Sequence, residues 1–408
     1  MANVCLVVQN VYDFDARVRR KAEALVSAGY SVDVLALTPA SGKKSYVLNG
    51  VNIHTIALGK QRGSLFRYFF EYGTFFVWTF FTLILLMRKR HYAVVDVNTL
   101  PDFLIFSAVP ARWMGAKLVL DMHEITPEFY ISKYGISEHS WLIHLLRYQE
   151  KISFDCADRV ITINKPIEDL LVRRGLDRSK SIVLMNAVDE ERFSANLASA
   201  PAKTSSEAFV MMYHGTLTKI YGLDIAIEAF SLVHNEMPHA ELWILGSGTE
   251  EKALSDITRK RALDSKVKLV GQVRSEEIPS WLNKCDVGIL PIRRDVFLDF
   301  AFPNKLPEFI IMGKAVLMSR LAAIRHYFSD EALAFCEPCD AADLSKQMVR
   351  LYRDRSLCGR LAEKAKKEYE PIRWGVMKAR YLELVGNLSE QKAGSFSRAC
   401  MPADGANQ

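Results

Sequence analysis

Asn304, Lys305 and Glu308 lie together in the otherwise apolar stretch FPNKLPEFIIMGKAVLMS, residues 302–319. If a helix starts here, Asn304 and Glu308, four apart, share one of its faces. The free N–H groups of a first helical turn attract anions, and Lys305 adds a charge beside them. An amide, an ammonium and a carboxylate in that setting suit a ligand carrying both hydroxyls and phosphate. An ordinary account fits the same letters: Asn304 caps a short helix, Gly313 ends it, and Ala315–Met318 enter a buried strand. Pro307 then sits in the first turn, where its missing N–H costs little. Taken alone, the stretch leaves both accounts open.

Other segments carry chemistry of the same kind. In YHGTLTKIYGLD (213–224), a strand pattern gives way to a helical one. Gly215 there allows close backbone approach, and Thr216 and Lys219 offer phosphate contacts; a plain turn fits as well. LGSGTEE (245–251) has Gly246 and Gly248 after a strand but lacks the third glycine of a dinucleotide fingerprint. LDMHEITPE (120–128) ends a strand with His123 and Glu124. A zinc-protease helix needs a second histidine where this chain has Pro127. A histidine at a strand's carboxyl end is well placed for a ligand, although a lone histidine is more commonly structural. Asp13 and Asp15 form an Asp-x-Asp like that which holds a metal in some sugar-nucleotide enzymes. Acids just ahead of a helix also simply suit its N-terminus, and the expectation is no metal and no cofactor.

These residues are positioned by a regular alternation of elements. VCLVV, SVDVLAL, VNIHTIA, YAVVDV, AKLVLDM, RVITI and SIVLM read as short β-branched strands, with amphipathic helical stretches such as Arg17–Ala28 between them. After the small, polar stretch ANLASAPAKTSSEA (195–208), which reads as a linker, the pattern restarts with FVMMY, AELWIL, KVKLV, VGIL and AVLM. The expectation is α/β: two doubly wound, Rossmann-like domains facing a cleft, with ligands at the carboxyl ends of their strands. At 408 residues the chain is long enough for two such domains.

Composition narrows the partners. The net charge of +6 arises in residues 1–186, which hold 23 Lys and Arg against 17 Asp and Glu. The remainder, with 30 against 30, is neutral. A basic first half suits a membrane surface or a phosphate-bearing substrate, or is a chance surface excess. The seven cysteines show neither disulfide nor zinc spacing, and reduced thiols in a cytoplasmic protein are the simple reading. The start MANVCLVVQN reads as a strand rather than a signal peptide. SLFRYFFEYGTFFVWTFFTLILLM (64–87) is followed by RKRH. Its unbroken apolar run, Tyr72–Met87, is short of the roughly 20 residues that span a bilayer. It reads as a helix with one face on the sheet and an aromatic face, flanked by Arg67, Arg88, Lys89 and Arg90, lying on a membrane. A buried core helix is the alternative.

In order along the chain, DFDARVRRKAEAL, DMHEITPE, MNAVDEERF, YHGTLTKIYGLDIAIEAF, PNKLPEFIIMGKAVL and EPIRWGVMKARYLELV resemble the retaining glycosyltransferases of family 4, which have the GT-B fold. The resemblance covers residues 3–388. It implies an N-terminal acceptor-side domain (1–190), a nucleotide-sugar domain (207–370) and a final helix (371–388) crossing back to the first domain; the small, polar stretch 389–408 reads as a disordered tail. The resemblance implies transfer of a hexosyl unit from a nucleotide diphosphate sugar to a hydroxyl of a glycan or lipid-linked acceptor in cell-surface or exopolysaccharide synthesis. The site would be cytoplasmic, peripheral on the inner face of the cell membrane, with no nucleic acid partner.

The resemblance also distributes roles. Glu308 falls on the second acid of a Glu-x7-Glu pair, which holds the donor ribose. Asn304, Lys305 and Leu306 fall on the turn and helix start that hold the diphosphate and donor sugar. Gly215, Thr216 and Lys219 match the phosphate loop, Gln272 and Val273 lie where the base is held, and His123 matches a histidine lining the sugar site. The catalytic set implied is His123, Glu308 and Lys219. The chain departs from the family pattern in two ways: the first acid is replaced by Phe300, with Asp299 beside it, and Thr216 and Tyr221 stand where arginine or lysine is common. Those departures keep a second class in view, a non-catalytic nucleotide-binding subunit that supports a partner enzyme. A sugar-nucleotide epimerase of the same fold fits the apolar, basic first half less well.

Overall fold

A computed structural model describes residues 2–58, 65–188, 190, 193 and 208–399. The linker expected at 195–208 lies outside the described residues except for Ala208. The chain divides into two compact units, Met1–Met185 with Gly375–Gln408, and Asn186–Trp374.

The first unit is built on eight strands: β1 (Asn3–Val11), β2 (Ser31–Leu37), β3 (Ser45–Leu48), β4 (Val51–Ile56), β5 (Val94–Asn98), β6 (Lys117–Met122), β7 (Arg159–Thr162) and β8 (Ser181–Val183). They order as β3-β4-β2-β1-β5-β6-β7-β8. All neighbours run parallel except β3, which returns antiparallel on β4. Helix α1 (Ala16–Ser27) follows β1. The β-branched runs form strands because helices cover the sheet, so β1, β5 and β6 are buried along most of their length.

The second unit carries β9 (Phe209–His214), β10 (Ala240–Leu245), β11 (Val267–Gly271), β12 (Val287–Leu290), β13 (Ala315–Ser319) and β14 (Ala334–Cys336). Their order is β11-β10-β9-β12-β13-β14, all parallel. In each sheet the strand order reverses beside the first strand of the unit, between β1 and β5 and between β9 and β12. Those switch points are where doubly wound sheets open a crevice for ligands.

Three sequence expectations change. The antiparallel β3 was not expected, although Asn49 and Gly50, both at positive φ, are a hairpin-turn signal. The C-terminal helix runs Trp374–Ala399, so residues 389–399, expected as tail, continue the helix; the segment holds no proline and mostly adequate helix formers. Residues 400–408 lie outside the described residues.

Helix α2 (Leu65–Arg90) is longer than the apolar run suggested. Among the described residues, its part Phe70–Arg90 is long and apolar enough, by length and composition, to cross a membrane. Its packing ties one face to the fold. Phe75, Thr79, Leu83 and Met87, spaced by four, are fully buried and fix one face to β1 and to the 3-10 turn Asp102–Ala108. The opposite face leaves Phe70, Val77, Phe81 and Leu85 exposed. Of the expected aromatic surface, Phe75 is therefore core, Phe76, Trp78 and Phe80 are half-buried, and the side chains of Phe66, Arg67 and Phe69 lie outside the described residues. Arg88 and Lys89 are exposed, whereas Arg90 turns back to Asp33 and Ser31.

Candidate active site

In the second unit, β9 ends at His214 and the chain turns at Gly215 with φ +125°. A Cβ at Gly215 would come within 2.1 Å of Lys305 Cε, so glycine here makes room for the lysine. Lys305 Nζ lies 4.0 Å from the centre of the Tyr221 ring and 5.3 Å from that of Tyr213. Two aromatic faces thus receive its charge. Burial lowers the Lys305 pKa to about 8, with Glu308 pulling the other way. An ammonium with little water around it is a strong electrostatic donor to an incoming anion.

Glu308 stands one turn further on. Its Oε2 is 3.2 Å from His214 Nε2, but without hydrogen-bond geometry, and among the described residues Nε2 has no hydrogen-bond partner. Burial, followed by the nearby Lys305 charge, drives the His214 pKa down to about 3. The imidazole is therefore neutral at physiological pH, and its contact with Glu308 is not an ion pair. Its ring packs against Phe309 at 5.2 Å. The loop after β10 closes on the same place: Gly246, at φ +135°, leaves no space for a Cβ beside Gly215 O, 1.8 Å away.

The helix start itself differs from expectation. Asn304 occupies the cap position of Lys305–Ile311 but is already helical and makes no side-chain cap bond. Leu306 N–H is spent on Pro303 O, Leu306 itself is buried, and Pro307 has no N–H. Few backbone donors remain on this seven-residue helix, and the cationic character rests on Lys305. Asp299 does not replace the missing acid: it accepts Ala322 N–H and pairs with Arg294. Thr216 and Lys219 are exposed on the loop after β9. Gln272 and Val273 follow β11, where the Gln272 amide oxygen accepts from Ser247 Oγ at 3.4 Å.

In the first unit, His123 follows the last residue of β6 and lines a cavity of about 380 Å³ with Asn10, Glu71, Glu124, Tyr130 and Lys133 among its walls. Its backbone N–H donates to Thr99 Oγ1 at 3.0 Å. Its Nε2 lies 3.1 Å from Asn98 Oδ1. Burial raises the Glu124 pKa, against His123 and Lys133. Asp13 and Asp15 are engaged separately. Asp15 caps α1 through Val18 N–H, and Asp13 accepts from Tyr46 Oη. Among the described residues no group of three or more His, Cys, Asp or Glu is arranged to hold a metal.

The structure thus brings Gly215, Lys305 and Glu308 together and sets His123 on a cavity of its own unit. It adds Tyr213, Tyr221 and His214, which the sequence reading did not assign. Apolar β9 concealed the first and last. Tyr221 had been read only as the loss of a basic residue.

Residues 16–192 match the family described as Glycosyltransferase Family 4, and residues 208–354 match Glycosyl transferases group 1. A probable glycosyltransferase, WbjE, of Pseudomonas aeruginosa is 25% identical over 65% of this chain and 68% of its own. The amylovoran biosynthesis glycosyltransferase AmsK of Erwinia amylovora is 27% identical over 47% of each. Among solved structures, sucrose-phosphate synthase from Thermosynechococcus elongatus superposes with a TM-score of 0.73 at 17% identity, covering 96% of this chain and 100% of that one. Anabaena Alr3699/HepE, solved in complex with UDP-glucose, gives 0.64 at 14% identity, covering 98% and 100%. With two Rossmann-like sheets and both halves matched, the chain belongs to the family 4 glycosyltransferases of GT-B fold.

Proposed function

We propose that this glycosyltransferase moves a hexosyl unit from a nucleotide diphosphate sugar to a hydroxyl of a membrane-presented, lipid-linked glycan, with retention at the anomeric carbon and without a metal. The observation that carries the donor reading is Lys305, desolvated between Tyr213 and Tyr221 over a glycine that leaves it room. The UDP-glucose complex of HepE and the amylovoran biosynthesis named for AmsK support the donor and the acceptor class. In the reaction, the bond from the anomeric carbon to the diphosphate oxygen breaks while a bond to the acceptor oxygen forms on the same face. The acceptor's proton passes to the departing phosphate oxygen, so no protein base is required. Lys305 stabilises the charge on the leaving diphosphate, assisted by Lys219 from the exposed turn. Glu308 accepts the ribose hydroxyls, Gly215 and Thr216 line the phosphates, Asn304 contacts the sugar, and Gln272 and Val273 meet the base. His123 takes a substrate hydroxyl.

Release of nucleoside diphosphate from a panel of UDP-, GDP- and ADP-sugars tests this reading. Hydrolysis of none of them by pure protein favours the supporting-subunit alternative, for which Phe300 speaks. Glu308→Ala is expected to cut turnover at least tenfold with the fold intact, because a charge-assisted hydrogen bond contributes roughly 1.5–3 kcal/mol. Near-normal turnover in that variant removes Glu308 from the site. Activity is also expected to survive excess EDTA; strict dependence on Mg²⁺ or Mn²⁺ would bring Asp13 and Asp15 back as ligands.

A further inference from the structure

Beneath His123 lies a fully buried polar cluster that the transfer reaction does not explain. Lys21 on α1 has no solvent exposure, and its Nζ donates to Asp96 Oδ2 at 2.9 Å, Asn98 Oδ1 at 2.7 Å and Asp121 Oδ2 at 2.5 Å. Arg17, one turn earlier, grips Asp121 with two bonds of 2.8 and 2.9 Å and donates to Leu184 O. Burial opposes ionisation of Asp121, but Arg17, Lys21 and His123 outweigh it and hold the carboxyl well below its usual range. From the C-terminal helix, Tyr381 Oη donates to Asp96 Oδ2 at 2.6 Å, with its ring 5.3 Å from Lys21 Nζ.

The cluster dictates what Asn98 can offer. Its amide nitrogen is committed to Val7 O and Asp96 O, both at 3.2 Å. Its oxygen already accepts from Lys21, which has no lone pair to share. Asn98 cannot be flipped without setting its NH₂ against an ammonium. The atom it turns to His123 is therefore an acceptor, and so is Asp121 Oδ2, 3.6 Å from His123 Nε2. Nε2 must carry the proton. No described residue bonds the other ring nitrogen, and the ring lines the 380 Å³ cavity.

We infer that Lys21 and Asn98 are positioning residues that lock His123 in its Nε2–H tautomer, so that Nδ1 presents a lone pair to a substrate hydroxyl. The inference rests on His123 belonging to the transfer site, but the tautomer itself is independent of any activity. Lys21 spends its charge on orientation rather than on substrate. Asp15, Glu71, Glu124 and Lys133 are charged side chains that line the same cavity.

The test is a long-range ¹H–¹⁵N spectrum of full-length protein with ¹⁵N-histidine, recorded at neutral pH without donor or acceptor. The His123 signals are identified by their loss in His123→Gln. The expected result is a protonated Nε2 and an unprotonated Nδ1. A protonated Nδ1 in the wild type overturns the inference. Asn98→Asp, which keeps an acceptor in place, should keep Nε2 protonated, and its added charge favours the doubly protonated ring. Asn98→Leu should mix the tautomers and, in turnover of the donor found by the panel, lower kcat at least tenfold with donor KM within about twofold. Unchanged ring signals in Asn98→Leu would pass the role to Asp121 and sink the assignment to Asn98. Lys21→Met leaves the buried Asp96 carboxylate without a cation and is expected not to fold, so the decision does not depend on it.

Discussion

Lys305→Met is expected to lower donor turnover about 10²- to 10³-fold, the usual loss when one preorganised donor to developing negative charge is removed. Methionine fills the slot between Tyr213 and Tyr221 without the charge, so the fold should survive and thermal unfolding should not move downward. Lys305→Arg should not rescue, since the side chain passes over Gly215 with no spare room and a planar guanidinium is wider. A variant retaining more than a tenth of wild-type turnover would remove Lys305 from the role assigned here. The pH profile gives a second reading. With a pKa lowered to about 8, free-enzyme activity should fall as pH rises through that value. Stability moves the other way. An unfolded lysine keeps its proton up to about 10.5, so between about 8 and 10.5 the unfolded chain binds more protons, and the Lys305 contribution becomes more favourable to folding as pH rises. Opposite slopes for activity and for unfolding free energy across that window are the signature to measure.

The second large effect concerns α2. Full-length protein is expected to float with anionic vesicles at low salt and to release as salt rises. Its exposed stripe of Phe70, Val77, Phe81 and Leu85 ends at the exposed Arg88 and Lys89, the arrangement of a helix lying among headgroups. Each basic residue near such a surface contributes about 1 kcal/mol. Replacing both Arg88 and Lys89 by serine should therefore weaken partition about 30-fold. Phe81→Ser with Leu85→Ser should weaken it further, since each apolar side chain contributes roughly 1.5–3 kcal/mol when fully buried. Arg90 is left in place because it pairs with Asp33. Protein that stays in the supernatant with anionic vesicles at low salt would make a soluble acceptor the better reading.

Strand positions were plain in the sequence because parallel strands covered on both faces are written as unbroken apolar runs; β5 and β9 are buried end to end. What escaped was held at edges: β3 is half-exposed, and β14 is three residues long. Of the candidate site, the part legible in the sequence is local: Lys305 and Glu308 stand on one short helix. The site was illegible where one residue's role is set by a neighbour far away in sequence. Tyr213 is an apolar-strand residue until Lys305 lies over it. Lys21 looks like any helix-surface lysine in RVRRKAEAL. Its one local mark is that Arg17 and Lys21, four apart, fall on the same face as Val18, Ala22 and Leu25, where charges do not normally go.

The C-terminal helix buries Met377, Tyr381, Val385 and Leu388 in the first unit, which is therefore assembled from both ends of the chain. A ribosome finishes residues 186–374 before that helix emerges. The second unit can close while the first still lacks the tyrosine that meets Asp96 and the apolar side chains that complete its packing. The half of the nascent protein begun earliest is thus expected to complete its packing last.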